Sequence, residues 1–80
     1  MPWSPEHAKR LGETIRTERL KLNLSQEKLA QRAQITKNQV QLLEAGRGHT
    51  RLVEPTSNPK LSTLYGLAEA LKVDPKDLLP

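Results

Sequence analysis

The chain has 80 residues and no cysteine, so disulfide bonds and cysteine-ligated metal sites are excluded. Phe is absent, Trp and Tyr occur once each, and the apolar residues are mainly Leu, Ile, Val and Ala. Since β-branched and aromatic residues are too few for strands, this composition favours a small all-α bundle. We expect residues 1–80 to form one domain.

The net positive charge comes from the first part of the chain. Residues 1–52 contain ten Lys or Arg and five Asp or Glu, whereas residues 53–80 contain three and four. The formal net charge of +4 therefore comes from residues 1–52. A one-sided positive field attracts phosphate and speeds association with nucleic acid. The charge alone fits a solvated basic surface equally well.

The sequence shows no pattern typical of a targeting segment, a membrane span or a metal site. No run approaches the roughly 18 apolar residues of a membrane span, and the N-terminal segment lacks the apolar core of a signal peptide. The histidines, His7 and His49, have no ligand spacing around them. We expect a cytoplasmic, nucleoid-associated protein with no membrane partner and no cofactor.

The first helix is predicted from about Pro5 to Leu22. It begins with an N-cap residue, Ser4, followed by proline at the first helical position. Asn23 then ends it, because Asn accepts positive φ at modest cost. The apolar residues at helical spacing are Ala8, Leu11, Ile15 and Leu22.

Two short helices are predicted over about 26–33 and 37–45, joined by a tight turn. Ser25 is an N-cap residue for the first of them. Thr36 begins the second, and Gln39 completes a capping-box pattern. This helix pair is the motif around which we expect the other helices to pack.

The turn of this pair contains Gln34, at a position where a helix-turn-helix backbone needs positive φ. Glycine adopts that conformation readily, whereas Gln34 should lose roughly 1 kcal/mol because it has a Cβ atom. After the second helix of the pair, Gly46 favours termination.

The second helix of the pair has one apolar and one polar side. Val40 and Leu43 form the apolar stripe. The other side combines amides, a cation and one apolar group, which suit the edges of DNA bases. These residues are Lys37, Asn38, Gln41 and Leu42.

A loop without helical periodicity is predicted over residues 47–59, RGHTRLVEPTSNP. Its 13 residues are long for a connection within a compact domain. Arg47, His49 and Arg51 place basic side chains directly after the helix pair. We interpret them as phosphate contacts, with a solvated basic loop as the alternative.

Two further helices are predicted in the last part of the chain. Leucines at helical spacing indicate a fourth helix from about Lys60 to Leu71. The sequence at 74–75 repeats the pattern of an N-cap residue and proline, which indicates a short fifth helix. Its Leu78 and Leu79 are a candidate dimer surface, with closure of the monomer core as the alternative.

Three strings in this order resemble the DNA-binding domain of the lambdoid phage repressors, Cro proteins and Xre-type bacterial regulators. They are LSQEKLA, ITKNQVQLLEAG and PKLSTLYGLAEALKVDPKDLL, and the resemblance runs from Leu11 to Leu79. It implies a compact five-helix, lambda-repressor-like bundle with a helix-turn-helix formed by helices 2 and 3. Gln34 and the longer loop over 47–58 depart from the family pattern.

The resemblance also implies roles for individual residues. The base contacts would be Lys37, Asn38, Leu42 and Gln41. The phosphate contacts would be Gln26 and Gln39, together with Arg47, His49 and Arg51 of the loop. Arg19 would bridge to Glu44 as a structural brace that fixes the angle of the recognition helix.

The leading hypothesis is a sequence-specific regulator of transcription that binds double-stranded DNA as a homodimer. A dimer is expected because one recognition helix covers only a few base pairs. The alternatives are an antitoxin or restriction–modification controller of the same fold, and a protein-interaction module without DNA binding. A protein partner, such as a toxin or RNA polymerase, is left open. An enzyme is not expected, since no nucleophile–base pair or Gly-rich phosphate loop is present.

Overall fold

A computed structural model of the chain describes residues 5–46 and 61–78. Several predicted features lie outside these residues. They are the N-cap Ser4, the basic loop residues Arg47, His49 and Arg51, and the dimer candidate Leu79.

Four α-helices and one 3-10 turn make up the described part of the chain. They are α1 (Pro5–Lys21), α2 (Gln26–Ala33), α3 (Lys37–Glu44), α4 (Leu61–Leu71) and the 3-10 turn (Pro75–Leu78). No strand occurs within residues 5–46 and 61–78, so the all-α prediction is confirmed there. Each α-helix begins and ends within one residue of its predicted bounds.

The core lies where the four helices and the 3-10 turn meet. The second helix packs against both α3 and α4, and these two helices also pack against α1. The largest fully buried side chains are Ile15, Leu29, Val40, Leu67 and Leu71. Burying a side chain of this kind contributes about 1.5–3 kcal/mol. Because the core is built from aliphatic residues of every α-helix, it fixes the helix pair α2–α3 against the remaining elements.

The predicted fifth helix is a single 3-10 turn. The predicted N-cap contact is present, since Asp74 Oδ1 accepts a hydrogen bond of 3.0 Å from the Lys76 backbone N–H. The Asp77 carboxylate accepts one of 3.2 Å from the Asp74 N–H. The described chain nevertheless holds only four α-helices, so the count of five is not confirmed.

Leu78 closes the core and does not form an exposed surface. It is 3% exposed and belongs to the same apolar cluster as Leu67 and Leu71. Its assignment to a dimer surface is therefore corrected in favour of the alternative, because a side chain enclosed by its own chain cannot contact a second copy.

Two helix ends adopt the left-handed conformation that the sequence predicts. Asn23 after α1 has φ of 57°, and Gln34 after α2 has φ of 61°. The Gln34 turn is closed by a hydrogen bond of 2.9 Å from the Ile35 N–H to the Ala30 carbonyl. Lys72, with φ of 60° after α4, is a third such residue that the sequence pattern did not reveal.

Glycines allow two close helix contacts. A Cβ atom on Gly12 of α1 would meet the Leu43 carbonyl oxygen and would lie 2.7 Å from the Glu44 carbonyl oxygen. A Cβ atom on Gly66 of α4 would lie 2.9 Å from the Ala33 carbonyl oxygen. The C-terminal ends of α3 and α2 thus rest on glycines of neighbouring helices.

Candidate nucleic-acid interface

The start of α2 is fixed by its N-cap residue. Ser25 has an extended backbone, with φ of −75° and ψ of 164°, and its Oγ accepts a hydrogen bond of 3.0 Å from the Lys28 N–H. This bond satisfies one of the backbone donors that a helix N-terminus leaves without an intrahelical partner. Gln26 is consequently the first residue of an ordered helix.

The start of α3 is fixed by a complete capping box. Thr36 Oγ1 accepts from the Gln39 N–H at 3.0 Å, and Gln39 Oε1 accepts from the Thr36 N–H at 2.8 Å. The oxygen of Gln39 is thereby committed to the cap. A phosphate contact by this half-buried side chain would have to use its Nε2 donor.

The two sides of α3 differ as the sequence predicts. Val40 and Leu43 are buried in the core. Lys37, Asn38 and Gln41 are exposed, and Gln41 follows Lys37 by four residues and Asn38 by three, so it shares one side of the helix with both. The helix therefore carries an amide- and lysine-bearing surface while its apolar side anchors it.

Leu42 lies at the edge of this exposed surface. An apolar side chain at this position could contact a thymine methyl group or pack against a neighbouring helix. Its side chain is half-buried, so part of it packs on the protein and part stays accessible.

Arg19 of α1 and Glu44 of α3 form a bidentate ion pair. The Arg19 Nε donates to Glu44 Oε2 at 2.7 Å, and Nη2 donates to Oε1 at 3.1 Å. Their side chains are 10% and 6% exposed. Bidentate pairs of this type are among the stronger hydrogen-bonded contacts in proteins, and they restrict geometry as well.

Two further hydrogen bonds extend this pair into a network. Arg19 Nη1 donates to the Leu24 carbonyl oxygen at 2.8 Å, in the connection between α1 and α2. Gln26 Nε2 donates to Glu44 Oε1 at 3.2 Å. We call these four residues (Arg19, Leu24, Gln26 and Glu44) the Arg19 network. It joins α1, the start of α2 and the end of α3.

The bond between Gln26 and Glu44 was not found by sequence reasoning. The two residues are 18 positions apart and belong to different helices, so no local pattern relates them. Gln26 was predicted only as a phosphate contact, and the structure adds a protein partner. Within the described residues, every buried side-chain nitrogen or oxygen has a hydrogen-bond partner.

Residues 5–46 and 61–78 contain neither a candidate metal site nor a helix able to span a membrane. No cluster of three or more His, Cys, Asp or Glu side chains there could hold a metal ion. None of the helices in these ranges combines the length and the apolar content that crossing a membrane requires.

Comparison with known proteins identifies the fold of the helix pair. Residues 10–79 match the family model of a helix-turn-helix domain, and the chain belongs to this family. The match extends from α1 to just beyond the 3-10 turn. Helix-turn-helix domains bind DNA through the second helix of the motif, which here is α3.

A solved structure agrees with this assignment. The restriction-modification controller protein C.AhdI from Aeromonas hydrophila is 28% identical, and the similarity covers 94% of this chain and 96% of that chain with a TM-score of 0.76. No curated protein sequence matches the chain. The predicted helix-turn-helix family is confirmed, and the controller protein supports its Xre-like character.

Proposed function

We propose that the protein is a sequence-specific regulator of transcription that places α3 in the major groove of a palindromic operator and binds it as a homodimer. The observation that carries the proposal is the division of α3 into an anchored side and an exposed side. Val40 and Leu43 hold the helix in the core, while Lys37, Asn38 and Gln41 face solvent.

Lys37 and Asn38 are the principal candidates for base contacts. Lysine donates to O6 and N7 of guanine, and asparagine pairs with N6 and N7 of adenine, each contact being worth about 1–3 kcal/mol of discrimination. Both residues lie in the first turn of α3, between Thr36 and Gln39 of the capping box. An ordered first turn supports the proposal, because base recognition requires side chains held in a defined position.

Gln41 and Leu42 extend this surface by one helical turn. The exposed amide of Gln41 suits a base edge or a phosphate, and the accessible part of Leu42 suits a thymine methyl group. Together with Lys37 and Asn38 they form the proposed reading surface.

Phosphate contacts are assigned to the residues that flank the reading surface. Gln26 begins α2, where backbone N–H groups and the helix dipole favour an anion. Gln39 would contribute its Nε2 donor. The loop residues Arg47, His49 and Arg51 are proposed from the sequence alone. Such contacts fix the orientation of the protein on DNA without reading its sequence.

A second candidate function is that of a restriction–modification controller. It is favoured by the similarity to C.AhdI, which extends over 94% of this chain and 96% of that protein. Neither comparison points to an enzyme. A controller would also bind operator DNA, so both candidates use the same reading surface and predict a location at the nucleoid.

The dimer is proposed from the geometry of the recognition mode. Two copies related by a two-fold axis would read half-sites about 34–36 Å apart. Leu78 is enclosed in the core. Leu79 therefore remains the candidate for the dimer surface.

Selection of bound sequences from a random pool of double-stranded DNA, at a fixed salt concentration, tests the proposal. A palindromic consensus is the expected result. The same selection with the double variant Lys37→Ala/Asn38→Ala should yield no consensus, whereas Lys76→Ala, which removes an exposed lysine from the 3-10 turn, should leave it unchanged. Failure of the wild-type protein to enrich any sequence would contradict the proposal and favour a protein-interaction module.

A further inference from the structure

We propose that Glu44 is a positioning residue for the DNA contact of Gln26, and that it holds the Gln26 amide so that an N–H group faces the DNA backbone. The inference rests on the proposed DNA-binding function and adds a role for a residue that does not itself touch DNA. It is carried by the hydrogen bond of 3.2 Å from Gln26 Nε2 to Glu44 Oε1.

The bond joins the two ends of the helix pair. Gln26 is the first residue of α2, and Glu44 is the last residue of α3. The Glu44 side chain is 6% exposed and is held by two hydrogen bonds from Arg19. Gln26 is half-buried, so it is less enclosed than Glu44. The amide of a half-buried glutamine is thus attached to a fixed, enclosed carboxylate.

The chemistry of the two groups determines the orientation of the amide. An ionised carboxylate only accepts hydrogen bonds, so it selects the NH₂ end of the glutamine. That NH₂ group has two hydrogens, and the bond to Glu44 uses one of them. A phosphate oxygen is also an acceptor and needs the second hydrogen. The amide orientation that donates to Glu44 can therefore also donate to a phosphate oxygen. In the reversed orientation the amide oxygen would face both acceptors, and neither hydrogen bond could form.

Arg19 removes the electrostatic obstacle to this arrangement. An unpaired carboxylate beside Gln26 would repel a phosphate. The bidentate contact with Arg19 compensates that charge, and the 2.8 Å bond from Arg19 Nη1 to the Leu24 carbonyl oxygen keeps the guanidinium in place. Glu44 can consequently orient the amide without opposing the approach of DNA.

A double-mutant cycle measured on DNA affinity tests the inference. The variants are Gln26→Ala, Glu44→Gln and the combination of both, each assayed by the Kd for the selected operator at one salt concentration. Glu44→Gln preserves size but offers one acceptor oxygen in place of two, so it cannot serve both donors of Arg19 and the amide of Gln26.

We expect each single variant to raise the Kd about fivefold. The corresponding change in binding free energy lies within the range usual for the coupling between two residues in contact. The combined variant should bind no more weakly than Gln26→Ala alone, because Glu44 acts through Gln26. Two matched controls should leave Kd unchanged. Gln31→Ala removes an exposed amide from α2, and Glu69→Gln neutralises an exposed carboxylate on α4.

The cycle separates positioning from simple bracing. If Glu44→Gln weakens binding by the same factor with and without Gln26, or does not weaken it at all, the inference is wrong. If Glu44→Gln does not fold, Glu44→Asp gives the same comparison, since it keeps the charge and withdraws the carboxylate from Gln26. A wild-type protein without affinity for any DNA would overturn the proposed function, and this inference with it. Wild-type binding with additive variants would overturn the inference alone.

Discussion

Arg19 and Glu44 connect α1 to the last residue of α3 through two hydrogen bonds of 2.7 Å and 3.1 Å, and both side chains are at most 10% exposed. Lys21 and Glu18 form another ion pair, 3.1 Å long, but their side chains are 66% and 26% exposed. The second pair is exposed, has a single hydrogen bond and lies within α1, so it serves as the control for a buried, bidentate pair between two helices.

Arg19→Met should lower the free energy of unfolding by about 3–5 kcal/mol, because it leaves the enclosed Glu44 carboxylate without its partner. Lys21→Met should change it by less than about 0.5 kcal/mol, because an exposed pair contributes little. Urea unfolding of both variants measures the difference. Equal effects would show that the buried, bidentate pair between α1 and α3 contributes no more than the exposed one.

Gln34→Gly should raise stability by about 1 kcal/mol, since glycine adopts a φ of 61° without the strain of a Cβ atom. For a domain of this size the corresponding rise in Tm is about 4–8 °C. Gln31→Gly, at an exposed position within α2, should instead lower stability by about 1 kcal/mol. A fall in Tm for Gln34→Gly would contradict the left-handed turn.

Gly12→Ala should destabilise the protein by about 1–3 kcal/mol, because its Cβ would meet backbone carbonyl oxygens of Leu43 and Glu44 that cannot move without shifting α3. Thr17→Ala, at an exposed position of the same helix, should be nearly neutral. Thermal unfolding of the two variants measures the difference in their stability. A neutral Gly12→Ala would mean that α1 and α3 can separate at little cost.

Asn38→Ala should alter operator preference at one position of each half-site and cost about 1–3 kcal/mol against the preferred base. Selection from a random DNA pool, compared with wild type and with Gln31→Ala, provides the measurement. If the variant selected the same operator with the same affinity, the assigned reading surface would be wrong.

Arg47→Ala and Arg51→Ala should weaken binding to all DNA sequences alike, because a phosphate contact carries no sequence information. Each should also reduce the slope of log K against log salt by about one unit. Titrations at several salt concentrations, on the operator and on an unrelated duplex, test this. A loss restricted to the operator would indicate a base contact instead.

Local chemistry explains why much of the helix pair could be predicted. The N-cap Ser25, the capping box of Thr36 and Gln39, and the left-handed Gln34 each depend on residues within a few positions of one another. Helical spacing likewise identified Val40 and Leu43 as the buried side of α3. These signals set the bounds of α2 and α3 and the side of α3 that faces solvent.

Features that depend on contacts between distant segments were not accessible in the same way. The glycine contact of α1 with α3 and the Gln26–Glu44 bond exist only after the helices have packed. The end of the chain shows the same limit, since its capping pattern indicated a helix but could not distinguish an α-helix from a 3-10 turn. Nor could it decide whether Leu78 faced the core or a partner.

The division of α3 into anchored and exposed sides has a consequence for how this protein can diversify. Under the proposed mode of binding, Lys37, Asn38 and Gln41 choose the operator, yet none of them is buried. Exchanging these side chains would leave Val40, Leu43 and the Arg19 network intact. A few surface substitutions could therefore change the DNA sequence that the protein recognises, while the packing that holds α3 in place stays the same.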